Sequence, residues 1–380
     1  MQAKTIQATS LSELTLALDH ATADGYAPTL AVVFCSVAQH PAQVQALLRE
    51  RGLDVFLMTT AGELIGDEVL EGALVLMLLD LKRESYRLFG ADTVGGDTLA
   101  LARAAGQHAR AAFARPAIVV AASGLGTNAE LLMEGILGCF AGQEVPQLFG
   151  GLAADDLKMQ GTFVGSQDLT TPNGLATLVF DTDRVSIGGQ ATSGWDTLGV
   201  EKTVTRSEGN VLLELDGEPA LDVFGKFFQF QTANADRDEY MAVNFAQYPL
   251  QMRSRAGHSV LRSPLMADAG RKALVFAGTL PEGSVVRFSV PPGFDLIEKS
   301  AADLAQLTAR VPNAEALLLF SCKARHMALG PLIGDESANI SALWGAPLLG
   351  LLTYGEIGAA AGSTCDFHNA TCSLVALAEK

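Results

Sequence analysis

The chain of 380 residues carries 42 acidic and 26 basic side chains, a formal net charge of −16. Nucleic acid and anionic membranes both select basic surface, so neither is an expected partner. Apolar residues at 49% against 18% charged exclude a disordered chain, and no apolar run reaches the ~18–20 residues of a membrane helix, since residues 69–81 are interrupted by Glu71, Gly72 and Asp80.

In chain order, residues 10–24 predict a helix capped by Ser10 or Ser12, with Leu11, Leu14, Leu16 and Leu18 on its apolar face. The opening Met1-Gln2-Ala3-Lys4-Thr5 before it is polar and lacks the apolar core of an export signal. After Pro28 comes an apolar strand at 30–36, then a helix at 41–51 with Pro41 in its first turn. Further helices are predicted at 97–113 and from Thr127, where Thr127 and Glu130 fit a capping box. The preceding Ser123-Gly124-Leu125-Gly126 has the glycines of a phosphate loop but neither its full pattern nor its lysine. Around residues 185–218, Glu208-Gly209-Asn210 and Asp216-Gly217-Glu218 signal hairpins of an antiparallel segment. Pro219 starts a helix whose face is Leu221, Phe224 and Phe228. A polar stretch at 233–238 marks an expected boundary between regions 28–232 and 233–380. Strands near 242–245, 273–276 and 285–288 follow, then a helix at 296–309.

Three stretches repeat one order of elements: apolar strand, helix, second apolar strand, a turn joining glycine to an acid, and a closing strand. They open at 30–36, 117–123 and 316–322 and close at 74–79, 175–180 and 371–376. Strand, helix, strand in this order implies parallel pairing through a right-handed crossover. The expected fold class is therefore α/β, with two regions built from repeated strand–helix–strand units and an antiparallel β segment around 185–218. The turns are Thr60-Ala61-Gly62-Glu63 and Thr353-Tyr354-Gly355-Glu356, with a diverged third at Gly150-Gly151-Leu152-Ala153-Ala154-Asp155-Asp156. Glycine beside a carboxylate at a strand end lets a backbone or a ligand approach closely; the alternative is a plain turn with a solvated acid. Cys35, Cys139, Cys322, Cys365 and Cys372 are widely spaced and include no Cys-x-x-Cys, so free thiols in a reducing cytoplasm are expected.

These motifs, with Val32-Val33-Phe34-Cys35-Ser36, Gly194-Trp195, Glu214-Leu215-Asp216-Gly217-Glu218-Pro219-Ala220, Leu319-Phe320-Ser321-Cys322-x-x-Arg325 and Phe367-His368-Asn369-x-Thr371, follow one another as in FIST proteins. The chain resembles a stand-alone FIST protein with both FIST N and FIST C regions over about residues 28–378. The resemblance implies a bacterial-type cytoplasmic sensor that binds a small ligand such as an amino acid and signals through a partner in trans. Some stand-alone members are described as haem-binding nitric-oxide sensors acting on a histidine kinase.

The residues suit such a role. Glu63 and Glu356 could neutralise an ammonium group, and Arg325 could hold a carboxylate bidentately. On this reading both acids converge on one cleft between the halves, with Thr60, Cys322 and Tyr354 beside them. Arg325 could equally pair with Glu356 as a structural ion pair. A non-covalent haem would need an axial ligand, for which His326, His258 and His368 are the candidates. A thiol enzyme using Cys322 with His326 is a further alternative. No Gly-x-Ser-x-Gly or His-x-x-Glu-His is present, so a binding protein is expected rather than an enzyme.

Overall fold

A computed structural model describes residues 1–93, 96–229, 244–254, 257–291, 293 and 295–380. The opening, second and closing strands of the three repeats are mostly apolar and are buried along almost their whole length. Such strands need cover on both faces, and the parallel pairing of 30–35 with 54–59, 116–122 with 148–152 and 316–322 with 348–353 gives the reason. Among the described residues the strands form three six-stranded sheets and one eight-stranded sheet.

The three six-stranded sheets share one plan. The first runs Ala3–Ala8, Leu74–Leu79, Leu30–Cys35, Asp54–Thr59, Val164–Ser166, Leu169–Thr171. The second runs Tyr86–Asp92, Gly174–Asp181, Pro116–Ala122, Leu148–Leu152, Gly355–Ala359, Cys365–His368. The third runs Val185–Thr192, Cys372–Glu379, Ala316–Cys322, Leu348–Thr353, Glu63–Ile65, Glu68–Leu70. In each, the last two strands are a hairpin lent by a neighbour. The first repeat's hairpin joins the third sheet, the third's joins the second, and the second's joins the first. Each repeat thus has its own sheet, and the three sheets are closed into a ring by exchanged hairpins.

Alternation along the strands divides the packing. Leu30, Val32 and Phe34 face a central core with Ala117, Val119, Phe149, Leu318, Phe320 and Leu351 from the other sheets. Phe34 meets Phe320 edge-on at 5.8 Å between ring centres. Ala31, Val33 and Cys35 face outward onto helices Leu11–Thr22 and Pro41–Glu50. The second sheet is covered by Thr98–Ala112 and Ala129–Gly138, the third by Leu296–Ala305 and Ile333–Ala342.

The eight-stranded sheet is an insertion in the third repeat, between its edge strand Val185–Thr192 and its helix Leu296–Ala305. Helix Ala220–Phe228 fills it, with Phe224 packed against Phe228, Phe276 and Phe288. The antiparallel segment expected at 185–218 is thereby shared between two sheets. Residues 185–192 pair with the terminal strand Cys372–Glu379, and the hairpin Asp196–Glu208 with Val211–Leu215 opens the insertion.

Local differences have local causes. Leu16 is 68% exposed, because at helical spacing it lies off the stripe of Leu14 and Leu18. Asn128, not Thr127, caps the helix Ala129–Gly138, accepting from the Leu131 amide at 2.9 Å. Gln306–Ala309 tightens into a 3₁₀ turn after Leu296–Ala305. The boundary expected at 233–238 and residues 242–243 of the strand expected at 242–245 lie outside the described residues, while 244 and 245 are helical.

Candidate functional site

The two matching acidic turns are buried latches within their own repeats. Thr60 Oγ1 donates to Glu63 Oε1, and the Ala73 amide donates to Glu63 Oε2 at 3.0 Å. In the third repeat Thr353 Oγ1 donates to Glu356 Oε1 at 2.5 Å, and Thr371 donates its hydroxyl at 2.7 Å and its amide at 3.3 Å to Glu356 Oε2. Ala73 and Thr371 each stand just before the closing strand, so each acid ties the outgoing hairpin to the strand that returns to its own sheet. Both carboxyls are fully buried, and burial pushes each up to about 7. The diverged third acid has a different task. Asp155 accepts from the amides of Met159, Gln160 and Gly161 at 2.7–3.1 Å and from the Tyr354 hydroxyl at 2.5 Å.

Arg325 is wholly buried and committed to the protein. It is bidentate to Glu336, with Nε to Oε2 at 2.8 Å and Nη2 to Oε1 at 2.5 Å. Its remaining donors reach the Ser193 and Ala370 carbonyls and Ser300 Oγ, and its plane lies 5.5 Å from the Trp195 ring. The partner is Glu336 on a neighbouring helix rather than Glu356. Cys322 is buried next to Glu356, and burial followed by that charge pushes its thiol well up, disfavouring the thiolate that nucleophilic chemistry needs.

A haem needs a histidine facing a porphyrin-sized space. His368 is buried, held at about 4 by desolvation, with Nε2 3.2 Å from the Gly358 carbonyl. The cavity it lines measures 300 Å³, at the low end of the ~300–1,000 Å³ range of small-molecule sites and too small for a porphyrin. His258 accepts from the Thr364 amide at 3.2 Å, and His326 Nδ1 lies 3.2 Å from Lys323 Nζ. Neither lines the larger cavities described below, so these residues do not fit a haem in this arrangement.

The space suited to a small ligand lies elsewhere, between helix Ala129–Gly138 of the second repeat and the inserted sheet. It is a groove of two chambers, 680 and 480 Å³, which share Asn128, Glu130 and Thr279. The larger chamber is walled by Leu131, Met133, Leu137, Met252 and Phe367, with Glu134, Arg262 and Asp366 among them. The smaller is walled by Gly124 to Ala129, Met159, Met266 and Tyr354. Tyr354 is the one predicted site residue that lines the groove; Thr60, Glu63, Cys322, Arg325 and Glu356 do not. Its hydroxyl accepts from the Leu157 amide at 2.8 Å while donating to Asp155, so it braces the loop at the groove's rim. That loop holds Asp156, Leu157 and Met159 at φ of +57°, +60° and +53°, a cluster of left-handed non-glycine residues of the kind that gathers at ligand sites. Gly124 is required here by close approach, since a Cβ would stand 1.8 Å from the Ala153 carbonyl oxygen.

Two polar groups dominate the larger chamber. Arg262 is 4% exposed and its plane lies 5.5 Å from the Phe367 ring. Asp366 is half-buried; desolvation raises its pKa, and Ser254 Oγ donates to it at 2.9 Å.

Comparison with known families fits this layout. Residues 29–218 match the FIST N domain and residues 220–359 the FIST C domain. The chain belongs to the FIST family. No curated protein matches it. FIST domains are small-ligand sensory domains of signal transduction. In this FIST protein the groove is formed where the two matched regions face each other, 124–138 from the first and 252–281 from the second, with 366–367 closing it from beyond the second. Among the described residues no helix is long and apolar enough to cross a membrane.

Sequence reasoning did not find Glu130, Arg262, Thr279 or Asp366. Glu130 is disguised by its place three residues after Thr127, where it reads as the partner in a capping box. Arg262 had one available signal: it follows Ser259-Val260-Leu261 in an otherwise apolar strand end, an unusual place for a charge.

Proposed function

We propose that this FIST protein is a cytoplasmic sensor that binds an amino acid or similar small zwitterion in the groove between the second repeat and the inserted sheet. The observation that carries this reading is the buried Arg262 beside Asp366 in a largely apolar groove, a pair of opposite charges that suits a carboxylate and an ammonium group. The walls of the groove come from two separately packed cores, the helix on the second sheet and the insertion around Phe224. Ligand bound to both walls favours their closed arrangement, and a partner in trans, a histidine kinase or another signalling protein, reads the change. No chemical step is assigned to the protein.

The test is a thermal-shift screen of amino acids, with hits repeated on Leu131→Trp. Leu131 is 39% exposed on the groove wall, so the larger ring fills the chamber without disturbing the core. The expected result is hits on the wild type that weaken at least tenfold in the variant. Hits of unchanged affinity would move the site out of the groove, and an absence of hits would remove the amino-acid reading. A haem titration followed by Soret absorbance is expected to show no specific complex.

A further inference from the structure

The Glu130 carboxylate lines both chambers of the groove, together with Asn128 and Thr279. Glu130 Oε1 receives three hydrogen bonds from the opposite wall: Arg262 Nη2 at 3.0 Å, the Thr279 amide at 2.9 Å and Thr279 Oγ1 at 3.0 Å. Three donors aimed at one oxygen, one of them a buried guanidinium, form a carboxylate receptor.

The two sides of this contact are unequally fixed. Arg262 is 4% exposed, and it is held by protein carbonyls without help from Glu130. Its Nε donates to the Thr279 carbonyl at 3.2 Å, and its Nη1 donates to the Leu261 and Phe367 carbonyls at 3.0 Å each. Gly278 lies against it, where a Cβ would come within 2.6 Å of its Nε. The receptor is therefore rigid. The Glu130 side chain is 30% exposed and sits in the first turn of helix Ala129–Gly138, where the exposed amides and dipole of the helix favour a carboxylate that has swung toward water. Releasing Glu130 with nothing in its place would leave the three donors unpaired, which is costly. Exchanging it for another carboxylate would not.

We propose that Arg262 and Thr279 are the carboxylate subsite of the groove, that Glu130 occupies it as an internal stand-in, and that a ligand carboxylate binds by displacing Glu130. This deepens the reading of the groove as the ligand site and rests on it. Displacement unties the Glu130–Arg262 ion pair between helix Ala129–Gly138 and the inserted sheet, which couples occupancy to the relation of the two walls. The neighbouring charge of Asp366 also bears on Arg262, so a monoanionic group is favoured over a dianion.

The test uses formate, a carboxylate small enough to enter the vacated position. Thermal midpoints of wild type, Glu130→Ala and Glu130→Gln are followed over increasing sodium formate against sodium chloride at equal ionic strength. Formate is expected to stabilise Glu130→Ala with an apparent affinity at least about tenfold tighter than for the wild type, because the internal competitor is gone. Glu130→Gln, which keeps the length but not the charge, is expected between the two. If Glu130→Ala does not fold, the comparison of Glu130→Gln with wild type decides alone. Equal formate dependence in every folded protein would overturn the proposal. That outcome is separable from failure of the groove itself. Amino-acid hits abolished by Leu131→Trp would leave the groove standing while the displacement fails.

Discussion

The twin latches at Glu63 and Glu356 make the fold's stability depend on pH in a direction opposite to that of most carboxylates. Each carboxyl stays protonated in the folded chain up to about pH 7, while its unfolded counterpart ionises near 4.5. Between those values the folded chain holds more protons than the unfolded one, so stability is full below pH 4.5 and falls as pH rises toward 7. At ~1.4 kcal/mol per pH unit, each latch loses roughly 3.5 kcal/mol across this window, or about 7 kcal/mol for the pair. His368 works the other way. Its folded value near 4 against an ordinary 6.5 means that stability is lost as pH falls through that range. The measurement is therefore a difference: urea unfolding of wild type and of Glu63→Gln/Glu356→Gln at pH 5, 6, 7 and 8, in which His368 cancels. Glutamine retains an acceptor for the Ala73 and Thr371 donors and cannot ionise. The double variant should be less stable than wild type at pH 5 or about equal to it, and gain on it by several kcal/mol by pH 8, at unchanged m value. Parallel curves would refute the argument, showing either that the carboxyls ionise in place at ordinary pH or that water reaches them.

Further predictions concern the supports of the fold. Removing one member of the buried Arg325–Glu336 pair, as in Glu336→Gln, should cost about 3–5 kcal/mol in urea unfolding, whereas Arg325→Met with Glu336→Leu should recover much of that loss. Gly124→Ala places a methyl group 1.8 Å from the Ala153 carbonyl oxygen, so the strand ends at the groove's floor must part. A drop in thermal midpoint of several degrees is expected, together with weaker binding of any groove ligand.

The three repeats were legible because their opening, second and closing strands are apolar on both faces, a local property written in runs such as Leu30-Ala31-Val32-Val33-Phe34-Cys35. The acid turns were legible as a pair for the same reason: Thr60 with Glu63 and Thr353 with Glu356 recur in matching places. Their task was not, because it depends on Ala73 and Thr371, residues whose amides reach the acids only after the closing strands have returned. Arg325 stood out as a charge after an apolar strand, with Glu356 as its expected ion-pair partner, yet nothing local pointed to Glu336 on a neighbouring helix. The groove was least legible. Glu130 and Thr279 are 149 residues apart, Arg262 and Phe367 105, and neither stretch carries a repeated pattern that would point across such a distance.

The exchange of hairpins explains why the sequence divides into FIST N and FIST C while the packing does not follow that division. The hairpin Glu63–Leu70 is encoded in the first region but completes the third sheet, pairing Glu63 with Leu351. The second sheet, whose own strands lie in the first region, ends in Gly355–Ala359 and Cys365–His368. Strand Val185–Thr192 pairs with the terminal strand Cys372–Glu379. Cutting between the regions would therefore strip strands from both sides and expose apolar edges that are buried in the ring. The same exchange places the second repeat's helix Ala129–Gly138 beside Phe367, which packs against it in one core. Through the Arg262 bond to the Phe367 carbonyl, the inserted sheet is anchored to that exchanged hairpin. A ligand at Arg262 thus acts where the ring and the insertion are joined, and its effect can pass to either.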